Sequence, residues 1–169
     1  MKVEGRIVER RLERFKAASA NAGVRLTHQR LEIFREIAAS VDHPDAETVF
    51  RAVRKRMPTV SLDTVYRTLW KLNDVGLVTT FGPRRESVRF DANPEKHHHY
   101  LCVRCGLARD FESAELNALR VPPTARAFGS VVTTHVEVRG ICAGCAADVA
   151  RNPALPNRKR PPGRHRRRT

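Results

Sequence analysis

The chain has 169 residues, 41% of them apolar, and a formal net charge of +14 from 32 Lys and Arg against 18 Asp and Glu. This length allows one ordinary domain or two small ones with modest cores. No apolar run reaches the length of a membrane span, and the opening MKVEGRIVERRLERF mixes charge into the stretch where a secretory leader needs continuous apolar residues, so the expectation is a soluble cytoplasmic protein with no membrane partner.

Residues 6–22 place Ile7, Val8, Leu12, Phe15 and Ala18 at helical spacing, and Asn21-Ala22-Gly23 closes that helix. Thr27 caps a second helix whose apolar face runs through Leu31, Phe34, Ile37 and Ala38. His43-Pro44-Asp45 opens a third, with the proline in its first turn and Ala46, Val49, Phe50 and Val53 inward, and Met57-Pro58 ends it. A fourth starts at Ser61, is amphipathic through Val65, Leu69 and Leu72, and closes near Gly76. LVTTF and SVRFD then alternate as a hairpin around GPRRE.

Helices followed by such a hairpin predict a winged helix-turn-helix, with the fourth helix reading the major groove and the hairpin as the wing. Arg67, Lys71, Arg84 and Arg85 put positive charge on those elements. From residue 93 the pattern changes to strands in HYLCV, GLARDF and SVVTTHVEVRGIC, a helix in ESAELNALR and a terminal helix in CAGCAADVAR. The whole reads as an α+β chain: a winged-helix domain over 1–91, a hinge over 92–96, a small α/β domain over 97–151 and a disordered basic tail over 152–169. The tail holds seven Lys and Arg and no acid, so subtracting it from +14 leaves +7 on the rest, a charge suited to a polyanionic partner.

Four cysteines fall as Cys102-x-x-Cys105 and Cys142-x-x-Cys145, 36 residues apart. Without a leader sequence, two C-x-x-C pairs indicate a tetrahedral zinc site that staples separated elements, ahead of disulfides or a redox dithiol. The first pair is preceded by His97-His98-His99, and on a strand His97 and His99 share a face while His98 points away. Asp91 and Asp110 offer carboxylates nearby in sequence, and His43 stands at the mouth of the third helix. A site combining His43, Asp91, His97, His99 and Asp110 would be a mixed nitrogen and oxygen set suited to Fe(II), Mn(II) or Zn(II).

The sequences GVRLTHQR (23–30), HPDAETVF (43–50), VSLDTVYRTL (60–69), VRFD (88–91), HHHYLCVRCG (97–106) and GICAGC (140–145) resemble the ferric uptake regulator family over roughly residues 15–148. The resemblance implies a homodimeric, metal-dependent repressor. Its structural zinc would be held by Cys102, Cys105, Cys142 and Cys145, and a regulatory metal would close the dimer onto an A/T-rich palindrome of double-stranded DNA. It also implies that Tyr66 packs on thymine methyls, that Arg67 reads a base edge, and that Arg25 reaches the adjacent minor groove. Tyr66 equally fits a helix-packing role.

Within the family, the pattern His43, Asp91, His97, His99, Asp110 is that of peroxide-responsive repressors, whereas iron-uptake members usually place Glu at the two Asp positions. The resemblance then implies that peroxide reacting at Fe(II) converts His43 or His97 to 2-oxo-histidine, while Mn(II) holds the same conformation without reacting. A further metal site of some members falls here on Lys96, His98, Asn117 and His135, and the lysine and asparagine argue against it. Three alternatives are weighed: a regulator of metal availability with no redox step, a hydrolytic metalloenzyme using the His and Asp cluster, and a zinc-stapled RNA-binding protein relying on the basic tail. An enzyme is not expected, because no general base stands apart from the proposed ligands.

Overall fold

Side-chain caps set where the second, third and fourth helices begin, and the computed structural model, which describes residues 3–82 and 88–151, shows these three caps formed. Helix α1 spans Gly5–Asn21 and buries Val8, Leu12 and Phe15. Helix α2 (His28–Ala38) follows Thr27, whose Oγ1 accepts the Arg30 N–H at 3.2 Å. Helix α3 (Ala46–Arg54) follows Asp45, which accepts the Thr48 N–H at 2.8 Å. Helix α4 (Leu62–Asp74) follows Ser61, whose Oγ accepts from Thr64 N–H at 3.1 Å. In each case a side-chain oxygen satisfies a backbone donor that the first turn leaves open.

The start of α3 differs from the expectation. Pro44 lies before the cap and outside the first turn, because Asp45 is extended (φ −77°, ψ 169°) and caps the helix with its own carboxylate. The carbonyl of Pro44 instead accepts the backbone N–H of Phe90 at 3.2 Å, a contact with the hairpin. That hairpin consists of β1 (Thr79–Phe81) and β2 (Arg89–Asp91), antiparallel with Thr80 opposite Phe90. Its connecting turn, with Arg84 and Arg85, lies outside the described residues, as does the 152–169 tail.

One apolar core unites these elements: Leu12 and Phe15 of α1, Ile33, Phe34 and Ile37 of α2, Val49 and Val53 of α3, Val65, Leu69 and Leu72 of α4, and Phe90 of β2. The rings of Phe15 and Phe34 stack with centroids 4.0 Å apart. This is a winged helix-turn-helix.

The chain divides into two compact units between Glu95 and Lys96. In the second, β3 (His98–Cys102) is the centre of a three-stranded sheet, antiparallel to β4 (Ala108–Phe111) and parallel to β5 (Glu137–Gly140). Between β4 and β5 lie two single-turn helices, α5 (Ala114–Asn117) and α6 (Pro123–Arg126), and α7 (Ala143–Arg151) follows β5. Two expectations are longer than what forms. The helix expected in ESAELNALR closes after one turn, and the strand expected in SVVTTHVEVRGIC is confined to EVRG in its second half. The five-residue β3 explains the latter, since it offers β5 partners only from His99 to Cys102.

Candidate metal centres and nucleic-acid interface

Parallel pairing of β3 with β5 aligns Cys102 with Gly140, and so brings the two C-x-x-C turns together across 36 residues of sequence. One Sγ from each of Cys102, Cys105, Cys142 and Cys145 falls within 4.8 Å of the others. The Cys105 and Cys142 sulfurs are 3.7 Å apart, close to the ~3.8 Å that tetrahedral zinc with bonds of about 2.3 Å requires.

Electrostatics suit a cation as well. Burial opposes ionisation of Cys102, yet backbone N–H donors of Cys142, Cys105 and Arg104 outweigh it and lower its pKa to about 6. Burial and the neighbouring sulfurs of Cys105 and Cys142 push Cys145 upward. The first thiolate forms readily and its charge opposes the rest, an opposition that a bound dication removes.

The same strand and the residue before it present the histidines in strand-like alternation. His97 and His99 lie on one face with Nε2 atoms 2.9 Å apart, and each stands 3.6 Å from Oδ1 of Asp110 on β4, which pairs opposite His99. Ligand atoms bound to one ion at about 2.1 Å sit roughly 3 to 3.5 Å apart, so this trio has the donor types and spacing of a partial metal site.

His98 points to the other face and is fully buried: its Nδ1 accepts the Val136 N–H at 3.2 Å and its ring packs by Phe111. Lys96 donates from Nζ to the carbonyl of Asn117 at 2.8 Å. His135 is exposed, with its ring 6.0 Å from that of His99.

In the N-terminal unit, His43 and Asp91 form a second pair, with Nδ1 and Oδ1 3.5 Å apart and both side chains buried. His43 takes φ +45°, and its imidazole packs T-shaped with the Phe81 ring, centroids 5.1 Å apart.

An open groove of about 790 Å³ runs between the start of α2 and the outer face of α4, lined by Thr27, Gln29, Arg30, Thr64, Tyr66, Arg67, Trp70 and Lys71 among others. Tyr66 is 40% exposed there, so it is not a core residue, and the Arg67 side chain is 81% exposed with Asp63 at 3.6 Å. Arg25 is exposed, and its carbonyl accepts a hydrogen bond from the Arg30 guanidinium. Sequence reasoning did not single out Trp70, Gln29 or Arg30 for this groove. It also missed Arg89, a buried arginine that donates to the His43 carbonyl at 3.2 Å.

Residues 21–137 match the model of the ferric uptake regulator family. A peroxide-responsive repressor, PerR, of Staphylococcus aureus is 33% identical over 145 residues, covering 86% of this chain and 98% of that protein. The chain belongs to the ferric uptake regulator family. Among solved structures, the Helicobacter pylori ferric uptake regulator Fur aligns with a TM-score of 0.66 at 21% identity, over 86% of this chain and 97% of that one, a likeness of fold. A zinc-bound manganese uptake regulator aligns with a TM-score of 0.59 at 32% identity, over 75% and 97% of the two chains.

Proposed function

We propose that this member of the ferric uptake regulator family is a cytoplasmic, homodimeric, non-enzymatic repressor that binds an A/T-rich palindrome when a regulatory metal is bound and releases it when peroxide oxidises a metal ligand. The observation that carries the reading is the facing pair His97 and His99 beside Asp110, a nitrogen and oxygen set distinct from the four-cysteine cluster. Cys102, Cys105, Cys142 and Cys145 hold structural zinc. His97, His99 and Asp110 join His43 and Asp91 of the winged-helix unit around Fe(II) or Mn(II), with residues 92–96 as the hinge.

Because the ligands are divided between two units, the complete set exists in only one arrangement of them, and the ion favours that arrangement by its difference in affinity for the two states. In it, the groove residues Tyr66 and Arg67 meet base edges and Arg25 the adjacent minor groove.

Fe(II) held by these residues would supply redox catalysis of O–O cleavage, lending an electron that the oxidised ring returns, whereas Mn(II) would hold the same arrangement without reacting. The imidazole of His43 or His97 loses two electrons overall as its C2–H becomes the C2=O of 2-oxo-histidine; one peroxide oxygen enters the ring and the other leaves as water. The altered ring is a poorer donor. Loss of His43 frees the winged-helix unit, and loss of His97 breaks the pair with His99.

The manganese uptake regulator at 32% identity favours a second reading, in which metal availability alone sets DNA binding. Both readings require metal-dependent binding through His97. Fluorescence anisotropy of a labelled palindrome against the zinc-loaded protein should show tight binding only with Mn(II), abolished in His97→Ala. Equal binding with and without Mn(II) contradicts both.

A further inference from the structure

Arg89 is a charged residue that the fold removes from water: its relative exposure is 7%, at the start of the three-residue buried run Arg89-Phe90-Asp91 on β2. Removing a guanidinium from solvent is unfavourable unless its donors are used. Nη1 of Arg89 donates to the carbonyl of His43 at 3.2 Å, across 46 residues of sequence.

The acceptor is a strained residue. His43 is the one non-glycine residue with positive φ among the described residues, at +45°. A side chain adopts that region at a cost, and it persists where the surroundings over-determine it. Here the hairpin supplies three restraints: Arg89 on the His43 carbonyl, the Phe90 N–H on the carbonyl of the adjacent Pro44, and the T-shaped packing of the Phe81 ring with the imidazole. The following residue on β2, Asp91, stands at Nδ1 of the same ring. The preceding packing partner of the strand is α4, since Phe90 meets the ring of Trp70 edge-on at 5.8 Å.

We infer that Arg89 is a positioning residue for the regulatory metal, fixing the backbone of His43, and with it the direction of the imidazole, before the ion binds. The inference rests on the assignment of His43 as a ligand. Without Arg89, binding would have to order the segment around His43 at the same time as ligating it, and the metal affinity would fall by the cost of that ordering.

The test compares zinc-loaded full-length protein with Arg89→Met, which keeps length and loses the donors, and Arg89→Lys, which keeps charge and one donor group. Free Mn(II), read by its paramagnetic resonance, gives the affinity. Arg89→Met should bind Mn(II) roughly tenfold or more weakly, with partial recovery in Arg89→Lys. After Fe(II) and dilute peroxide, the oxygen added to tryptic peptide 36–51, which contains His43, should fall relative to that on peptide 97–104, which contains His97. A role confined to hairpin stability predicts a lower urea midpoint with Mn(II) affinity within about twofold of the parent and an unchanged peptide ratio, and that result overturns the inference. If the parent binds no Mn(II) beyond its zinc, the ligand assignment fails and the inference falls with it. If Mn(II) binds but no peptide gains oxygen, the peroxide reading fails and the affinity ratio decides on Arg89. Should Arg89→Met not fold, the same two readouts on Arg89→Lys decide.

Discussion

Replacing Phe90 by alanine tests how the winged-helix unit is held together and whether it unfolds separately from the zinc-stapled unit. Phe90 is 1% exposed, belongs to the core formed with α1–α4, and packs edge-on against Trp70. Deleting such a ring leaves a cavity that close-packed neighbours refill only in part, and Phe→Ala changes of this kind cost about 3–5 kcal/mol. Domains are stable by only about 5–15 kcal/mol, so the unit should fold but with much of its margin removed. With a urea slope of about 2 kcal/mol/M for a unit of this size, a loss of about 4 kcal/mol lowers the midpoint by about 2 M. The chain has a single tryptophan, Trp70, which lies in α4, so its fluorescence follows this unit alone. Zinc release, read with a chromogenic chelator, follows the other. Phe90→Ala should shift the fluorescence transition and leave zinc release unchanged, and Phe90→Leu should recover more than about half of the loss. A fluorescence shift below about 0.5 M, or zinc release moving in step with it, would refute the packing argument or the independence of the units.

Ser61→Ala removes the oxygen that caps α4 and should lower the same urea transition by about 1 kcal/mol, while Ser61→Asn, another good cap, should stay near the parent. Cys102→Ser should abolish stoichiometric zinc binding and unfold the second unit, seen as new amide exchange across β3 and β5, with the Trp70 transition retained. Arg67→Ala should cost about 1–3 kcal/mol against the best operator and narrow the gap to mismatched sequences, measured by competition anisotropy; Lys71→Ala should weaken all sequences alike and make the salt dependence shallower.

The helices of the first unit were legible because their signals are local. Thr27 and Ser61 cap where the sequence places them, and Leu12, Phe34, Val49, Val65 and Leu69 face inward at helical spacing. The cysteine pairs and the shared face of His97 and His99 were legible for the same reason, as spacing and strand alternation suffice.

What escaped depends on contacts distant in sequence. Alternation in SVRFD, with Val88 and Phe90 inward, directs Arg89 to solvent, yet Arg89, Phe90 and Asp91 are all buried, because the carbonyl of His43 and its imidazole lie against the strand. Pro44 was read as a first-turn proline because nothing in sequence shows that its carbonyl receives Phe90. In the second unit, residues 130–135 have the composition of a strand, but strand formation needs a partner, and the pairing with the short β3 runs only from His99 to Cys102, with Val136 at its edge. The helix in ESAELNALR has no buried residue in its one turn and is soon followed by Pro122-Pro123, so little packing extends it.

The most direct measurement is operator binding by the zinc-loaded protein with Fe(II) and, separately, with Mn(II), before and after dilute peroxide, followed by mass spectrometry of the peptides containing His43 and His97. The account predicts tight binding in both metal forms, loss after peroxide in the iron form alone, and one oxygen atom on His43 or His97 in that sample. Iron-dependent binding that survives peroxide with both histidines unmodified would contradict it and leave a regulator of metal availability.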